Sequence, residues 1–411
     1  MRTHNWIVAL GSILGLLAGG CVTAFGAELK AVSPPGAEIV GPYTPGILAG
    51  DLLYVSGQGA RDKNGKFPPT TAEQVKQTLD NIKLVVEAAG LTMEHVVYSQ
   101  MYLTDAATYE EALGAWRAYF PDGGPARAVL GMARMPGTPV EVNAVAVTDL
   151  ALKRPIRLAG QRPDETPPDA VVAGDKLYLS SCYGLDAQGK MPAQGAAQAK
   201  LALDRMGAVL KAAGLGFDHV VFVNPYLTDG VRYPEMNKVY ARRFKFGDTP
   251  ARATIRVSHL PHGAAIAFTG VATMKLSSRR AVRPINMPPS PTASPCVFAG
   301  DTLYCSAKSA FIPGPNLGIY ASTVENQVRQ TMRNLLDGLE KAGLDLTHVV
   351  ASNVYLDDMD EFAGMNRTYA QYFQRPYPTR TTVQPLPPSE RKRNKDEQWP
   401  MLEQISVVAV K

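Results

Sequence analysis

Three arginines return at one position of a recurring tetrapeptide: Pro125-Ala126-Arg127-Ala128, Pro250-Ala251-Arg252-Ala253 and Pro378-Thr379-Arg380-Thr381. Their period, near 125 residues, is that of a whole domain and not of a solenoid repeat. A guanidinium keeps its charge at every physiological pH and offers paired, planar donors. Those donors match a carboxylate ligand, and they would equally close an ion pair between units. Competing chemistry finds little support. There is no CxxC and no His/Cys cluster with zinc spacing, so no zinc site is suggested. A formal charge of +5 over 411 residues is mild, and no basic stripe is interleaved with aromatics, so nucleic acid is not an expected partner.

The arginines travel with other repeated segments. Ala49-Gly50-Asp51 returns as Ala173-Gly174-Asp175 and Ala299-Gly300-Asp301, and Leu53-Tyr54-Val55-Ser56 as Leu177-Tyr178-Leu179-Ser180 and Leu303-Tyr304-Cys305-Ser306. Ala89-Gly90-Leu91, His95-Val96-Val97 and Tyr102-Leu103-Thr104-Asp105 each have two later counterparts in the same order. Each unit reads as a hairpin around the Gly-Asp turn and then a helix, with Val75, Leu79, Ile82 and Val86 at helical spacing and Thr70 with Glu73 as its capping box. A strand over 96–103, a second helix ending near 116–120, and two strands over 127–132 and 140–147 complete it. The order β-β-α-β-α-β-β predicts an α+β sheet with helices on one face, leaving the other face for sister sheets to cover.

Length alone suggests two or three domains, and 45% hydrophobic with 19% charged residues is a globular composition. Residues 1–27 read as an export signal: Arg2 and His4 precede an apolar run from Trp6 to Leu17, and small residues follow. The chain is therefore expected in the periplasm or secreted, with no membrane contact beyond a lipid anchor at Cys21. Leu17-Ala18-Gly19-Gly20-Cys21 is close to a lipoprotein signal, although its leucine sits one residue early. An uncleaved anchor is the alternative. The units are placed at 38–150, 163–274 and 283–411, joined by proline-rich, charged linkers over 153–168 and 275–291. Arg279, Arg280 and Arg283 are expected in a solvated tether. Cys296 and Cys305 face each other across the third hairpin, as a cross-strand disulfide or as two buried thiols.

Gly41-Pro42-Tyr43, Val55-Ser56-Gly57-Gln58, Glu87-Ala88-Ala89-Gly90-Leu91, Tyr102-Leu103-Thr104-Asp105 and Pro125-Ala126-Arg127 together resemble the signature segments of the Rid/YjgF family, the RidA-like reactive-intermediate deaminases. The resemblance implies three tandem chorismate-mutase-like domains. Relatives are homotrimers with ligand sites between protomers, so it further implies an intramolecular pseudo-trimer, self-contained in a monomeric chain. It implies hydrolysis of small 2-imino or enamine acids to 2-keto acids and ammonia, without a cofactor.

On that resemblance Arg127, Arg252 and Arg380 anchor the substrate carboxylate. Ser56, Ser180, Ser306, Tyr43, Asn237 and Asn366 match further substrate-binding positions, and Asn143 is counted with them. Tyr43 has only Pro167 and Ala293 as counterparts, and unit one has Leu113 where the asparagine belongs. The family's final-strand glutamate aligns with Asn143, Thr269 and Ser406, none of which can act as a base near neutral pH. Glu141 lies two residues before Asn143 on the same strand face and is expected to serve another role. One or two competent clefts are expected, and a non-catalytic module that binds small carboxylates or a protein stands as the alternative. A scaffold with its arginines in salt bridges is a third reading.

Overall fold

The computed structural model describes residues 28–160, 167–186, 188–312 and 320–411. The expected export signal and Cys21 lie outside the described residues. Unit one contains β1 (Lys30–Val32), β2 (Gly46–Ala49), β3 (Leu52–Gly59), α1 (Thr71–Ala88), β4 (Val96–Leu103), α2 (Tyr109–Tyr119), β5 (Ala126–Gly131) and β6 (Val140–Val147). Unit two contains β7 (Lys153–Ile156), β8 (Ala170–Ala173), β9 (Lys176–Tyr183), α3 (Gly195–Ala212), β10 (Val220–Leu227), α4 (Tyr233–Tyr240), β11 (Ala251–Arg252), β12 (Ile255–Arg256) and β13 (Ile266–Thr273). Unit three contains β14 (Arg279–Val282), β15 (Cys296–Ala299), β16 (Thr302–Lys308), α5 (Val324–Ala342), β17 (Val349–Leu356), α6 (Phe362–Tyr369), β18 (Thr379–Val383) and β19 (Glu403–Val410).

The three sheets share one topology. In unit one the order is β1-β2-β3-β6-β4-β5, antiparallel except for the β4–β5 pair. Local sequence explains the joints. Gly50, Gly174 and Gly300 take φ of 55°, 61° and 61° at the hairpin turns, a region that glycine enters without a Cβ penalty. The Thr70–Glu73 capping box is formed at the start of α1. Cys296 pairs with Cys305 in the β15–β16 register, and the two are disulfide-bonded.

Two strands lie within the expected linkers. β7 and β14 occupy the edges of the second and third sheets, as β1 does in the first, so each unit opens with a strand before its hairpin. Proline and charge are tolerated there because an edge strand leaves one side of its backbone unpaired. The residues are also not a free tether. Arg279 is 5% exposed at its side chain, donating from Nε to the Val220 carbonyl (3.0 Å) and from Nη1 to Asp248 Oδ1 (2.6 Å). Lys153 Nζ donates to the carbonyls of Glu94 (2.6 Å) and Val96 (2.9 Å). Each connecting strand thus pairs with the unit it enters while its side chain grips the unit it leaves.

Each sheet buries one face under its helices: Leu79, Ile82 and Trp116 in unit one, Leu203, Met206 and Tyr240 in unit two, Met332, Leu335 and Tyr369 in unit three. The opposite faces meet one another. Ile47, Tyr54, Val97, Val171, Tyr178, Val221, Val297, Tyr304 and Val350 form a single apolar cluster drawn from all three units. The packing closes cyclically, β5 on β9, β11 on β16 and β18 on β3. The chain is an intramolecular pseudo-trimer of α+β units. No described helix is long and apolar enough to cross a membrane.

Unit three carries a buried acid where its sisters are apolar. Glu403 holds the β19 position that Val140 and Ile266 hold in β6 and β13. It accepts a hydrogen bond from the Thr331 hydroxyl, its Oε2 has no partner, and burial pushes its carboxyl up from 4.5 to about 8. The folded chain therefore keeps a proton that the unfolded chain releases above 4.5, and this contribution to stability is lost as pH rises towards 8. Glu403→Gln is expected to raise the melting temperature relative to the parent increasingly between pH 5 and pH 8; a constant difference across that range would contradict this.

Candidate functional site

Each arginine reaches its cleft from the strand after the second helix and lies against the next unit. The join is made by the recurring serine. Ser180 Oγ donates to the Pro168 carbonyl (2.6 Å) and accepts the Arg127 backbone N–H (3.0 Å). Ser306 Oγ does the same with the Ser294 carbonyl (2.6 Å) and Arg252 N–H (2.8 Å), and Ser56 Oγ with the Thr44 carbonyl (2.6 Å) and Arg380 N–H (2.9 Å). The three serines therefore fix the arginines' backbone across the seams. All six partner groups are buried, so Ser56→Ala strands a donor and an acceptor. We expect a loss of about 1–3 kcal/mol in urea unfolding, whereas an exposed Ser389→Ala change is expected to cost far less.

The guanidinium groups are themselves buried, with Arg127, Arg252 and Arg380 exposing 9%, 6% and 7%. The second helix of each unit cradles them with aromatic rings one heptad apart. Arg127 lies over Trp116 (5.3 Å), Arg252 over Tyr233 (5.6 Å) and Tyr240 (5.0 Å), Arg380 over Phe362 (5.7 Å) and Tyr369 (5.1 Å). Sequence reasoning missed these rings; the signal was aromatic recurrence at positions 109/116, 233/240 and 362/369, bracketing Leu113, Asn237 and Asn366. Asn237 Oδ1 and the Tyr233 hydroxyl each accept a bond from Arg252 at 2.7 Å. Asn366 Oδ1, by contrast, is buried without a partner, as are Arg380 Nη1 and Arg127 Nη1. None of the three arginines has a carboxylate within 4.0 Å among the described residues, so the ion-pair reading of these positions is not what the geometry displays.

The clefts differ in what faces the arginine. Arg380 shares a cavity of about 520 Å³ with Tyr43, Gln58 and Glu141 of unit one. Strand register makes Ala267 and Gln404 the counterparts of Glu141, since these pair with Tyr226 and Tyr355 as Glu141 pairs with Tyr102. The Arg127 cleft thus has Pro167 and Ala267 where the Arg380 cleft has Tyr43 and Glu141, and the Arg252 cleft has Ala293 and Gln404.

The acid is therefore Glu141 and not the residue two positions on. Asn143 donates to Gln100 Oε1 and Thr381 Oγ1 (3.0 Å each), and with Thr269 and Ser406 it lines an inner cavity between the three sheets. Asn143, expected among the substrate-binding residues, shares a strand face with Glu141 and stands roughly 6.5 Å from it along the strand, lining this inner cavity and not the Arg380 cleft. Gly57 makes room for the carboxylate, because a Cβ there would lie 2.0 Å from Glu141 Oε1. Burial raises the Glu141 carboxyl from 4.5 to about 8, and the Arg380 charge opposes that rise. The same burial lowers Arg380 and raises Tyr43. Among the described residues no three His, Cys, Asp or Glu side chains converge as a metal site.

The family comparison follows the three units. The model of the Endoribonuclease L-PSP family matches residues 35–148, 166–274 and 287–387. The chain is 34% identical over 113 residues to the 2-iminobutanoate/2-iminopropanoate deaminase of Escherichia coli K12, an alignment covering 26% of this chain and 88% of the relative. It is 33% identical over 124 residues to a RutC family protein of Aquifex aeolicus, covering 29% and 99%. The crystal structure of the E. coli YjgF gene product matches at 32% identity, covering 29% of this chain and 99% of that one, with a TM-score of 0.28. With a family match in each of its three units, the chain belongs to the Endoribonuclease L-PSP family, the RidA/YjgF proteins, in a tandem threefold form.

Proposed function

We propose that the Arg380 cleft hydrolyses small 2-imino or enamine carboxylic acids to 2-keto acids and ammonia. The observation that carries this reading is the meeting of Arg380, Tyr43 and Glu141 in one cleft between units three and one. The name of the E. coli relative, a deaminase of 2-iminobutanoate and 2-iminopropanoate, supports the substrate class. Arg380 supplies an unpartnered buried donor for the carboxylate. Glu141, protonated at neutral pH, gives its proton to the imine nitrogen as water adds to the C=N carbon, and its carboxylate then takes a proton from the added water. The resulting carbinolamine collapses when the same carboxyl returns a proton to the amine. The C–N bond breaks, ammonia leaves, and the hydroxyl proton is recovered as the C=O forms.

The test follows keto acid release from an amino-acid-derived enamine, with spontaneous hydrolysis subtracted. Glu141→Gln is expected to lower the enzymatic rate roughly 10²–10⁴-fold, and Arg380→Ala to raise KM about tenfold or more. Because the acid form acts first, the rate should fall as pH rises through about 8, and that limb should vanish in Glu141→Gln. Gly57→Ala, which puts a methyl where the carboxylate lies, should reproduce the Glu141 defect while leaving the fold intact. Full activity in Glu141→Gln, or an equal loss from Arg127→Ala, would remove the assignment to this cleft.

We further propose that the protein is exported. The apolar leader and the Cys296–Cys305 disulfide support this. Cell fractionation with N-terminal sequencing should find a cytoplasm-excluded chain that has lost its apolar leader or begins at a lipidated Cys21, and an intact chain in the cytosol would refute it.

A further inference from the structure

The Arg252 cleft lacks the acid, and a lysine, Lys308, lines it. Its cavity, about 780 Å³, is larger than the roughly 390 and 520 Å³ at Arg127 and Arg380. Arg252, Arg256 and Lys308 line it, and no described Asp or Glu does. The other two clefts each hold a carboxylate: Glu110 and Asp169 beside Arg127, Glu141 beside Arg380. Arg256 is neutralised by an ion pair with Asp229, which leaves Arg252 and Lys308 uncompensated.

Lys308 stands where unit one has Gln58 and unit two Cys182, since these residues pair with Ile405, Val142 and Phe268 at one shared position of the sheets. It is half-buried, and its hydrogen-bond partner among the described residues is Met287 Sδ at 3.8 Å, a weak acceptor. The carboxylate that attracts it, Asp337, is already bonded to Arg333 at 2.7 Å. Burial brings the amine down to about 8, still charged at neutral pH. Arg252 is oriented by Asn237 and Tyr233, which take two of its five donors and leave the rest for a ligand. Both cations line one cavity, and an anion with two charged groups can meet one with each end. Gln404, in the place of Glu141, carries no proton to transfer.

We propose that the Arg252 cleft is a binding site for small dicarboxylates, with one carboxylate on Arg252 and the second on Lys308. This is independent of turnover at Arg380, because it is read by binding alone. The full chain is titrated calorimetrically at pH 7 with glutarate, butyrate and inorganic phosphate. Glutarate is expected to bind about tenfold or more tightly than butyrate, the worth of one added charge-assisted contact. Lys308→Gln, which installs the residue unit one carries, should reduce glutarate affinity to that of butyrate, and Arg252→Gln should weaken both. Lys308→Met, which keeps the aliphatic stem, serves as a second variant if the glutamine protein unfolds. Equal affinities for glutarate and butyrate would overturn the proposal, as would a preference that survives in the Lys308 variants. Phosphate binding as tight as that of glutarate would show an unselective anion site and overturn it too.

Discussion

One hydroxyl at each seam carries two units at once. Ser56, Ser180 and Ser306 donate to a carbonyl of their own unit and accept a backbone N–H from the arginine of the neighbour. The contact is short and buried, with little tolerance for slippage, because a one-residue shift would leave both backbone groups unpaired. The guanidinium enters the neighbouring unit's cleft because its main chain is pinned there. Covalent linkage of the units keeps the partner surfaces at high effective concentration, so the ring closes within one chain.

Linkage also frees the clefts from identity. In a homotrimer, one sequence fixes all three sites alike; here the arginine is retained three times while its opposite wall is not. The parts that stayed serve the arginine's own burial: the heptad-spaced rings and the seam serine recur in every unit. The parts that diverged are those a ligand meets. Proline and alanine oppose Arg127, alanine and glutamine with an extra lysine oppose Arg252, and tyrosine with a raised carboxyl opposes Arg380. Desolvation sets the electrostatics of the last cleft: it lifts Glu141 far enough to hold a proton at neutral pH, and Arg380 limits the lift without cancelling it.

What the sequence revealed is what local chemistry determines. The Gly-Asp hairpins, the Thr70–Glu73 box, the register of Cys296 with Cys305 and the strand 140–147 all depend on neighbours within a few residues, and they stand where expected. Edge strands β7 and β14 were hidden because Pro155 and the arginines at 279 and 280 look like linker composition, which an edge accepts. Glu141 was set aside for a different reason. Residues 141 and 143 share a face by alternation, and depth along that face is set by three sheets meeting, which no single strand encodes. The aromatic cradle escaped notice because its letters vary, Trp, Tyr and Phe, although their spacing does not.

Packing around Gly57 argues that Glu141 belongs to its cleft by construction. Its carboxylate occupies the space a side chain at 57 would need. The counterparts of Gly57 are Ser181 and Ala307, and opposite them stand Ala267 and Gln404. Where the glutamate is absent, a side chain fills the glycine's place; where the glycine is kept, the carboxylate lies against the backbone. Gln404 illustrates the difference, since its amide is bonded to Met401 Sδ at 3.1 Å. Burial is what raises the proton affinity of the Glu141 carboxyl. The glycine and the acid are thus one feature, found at one seam of three, and the other two clefts present different side chains beside their arginines.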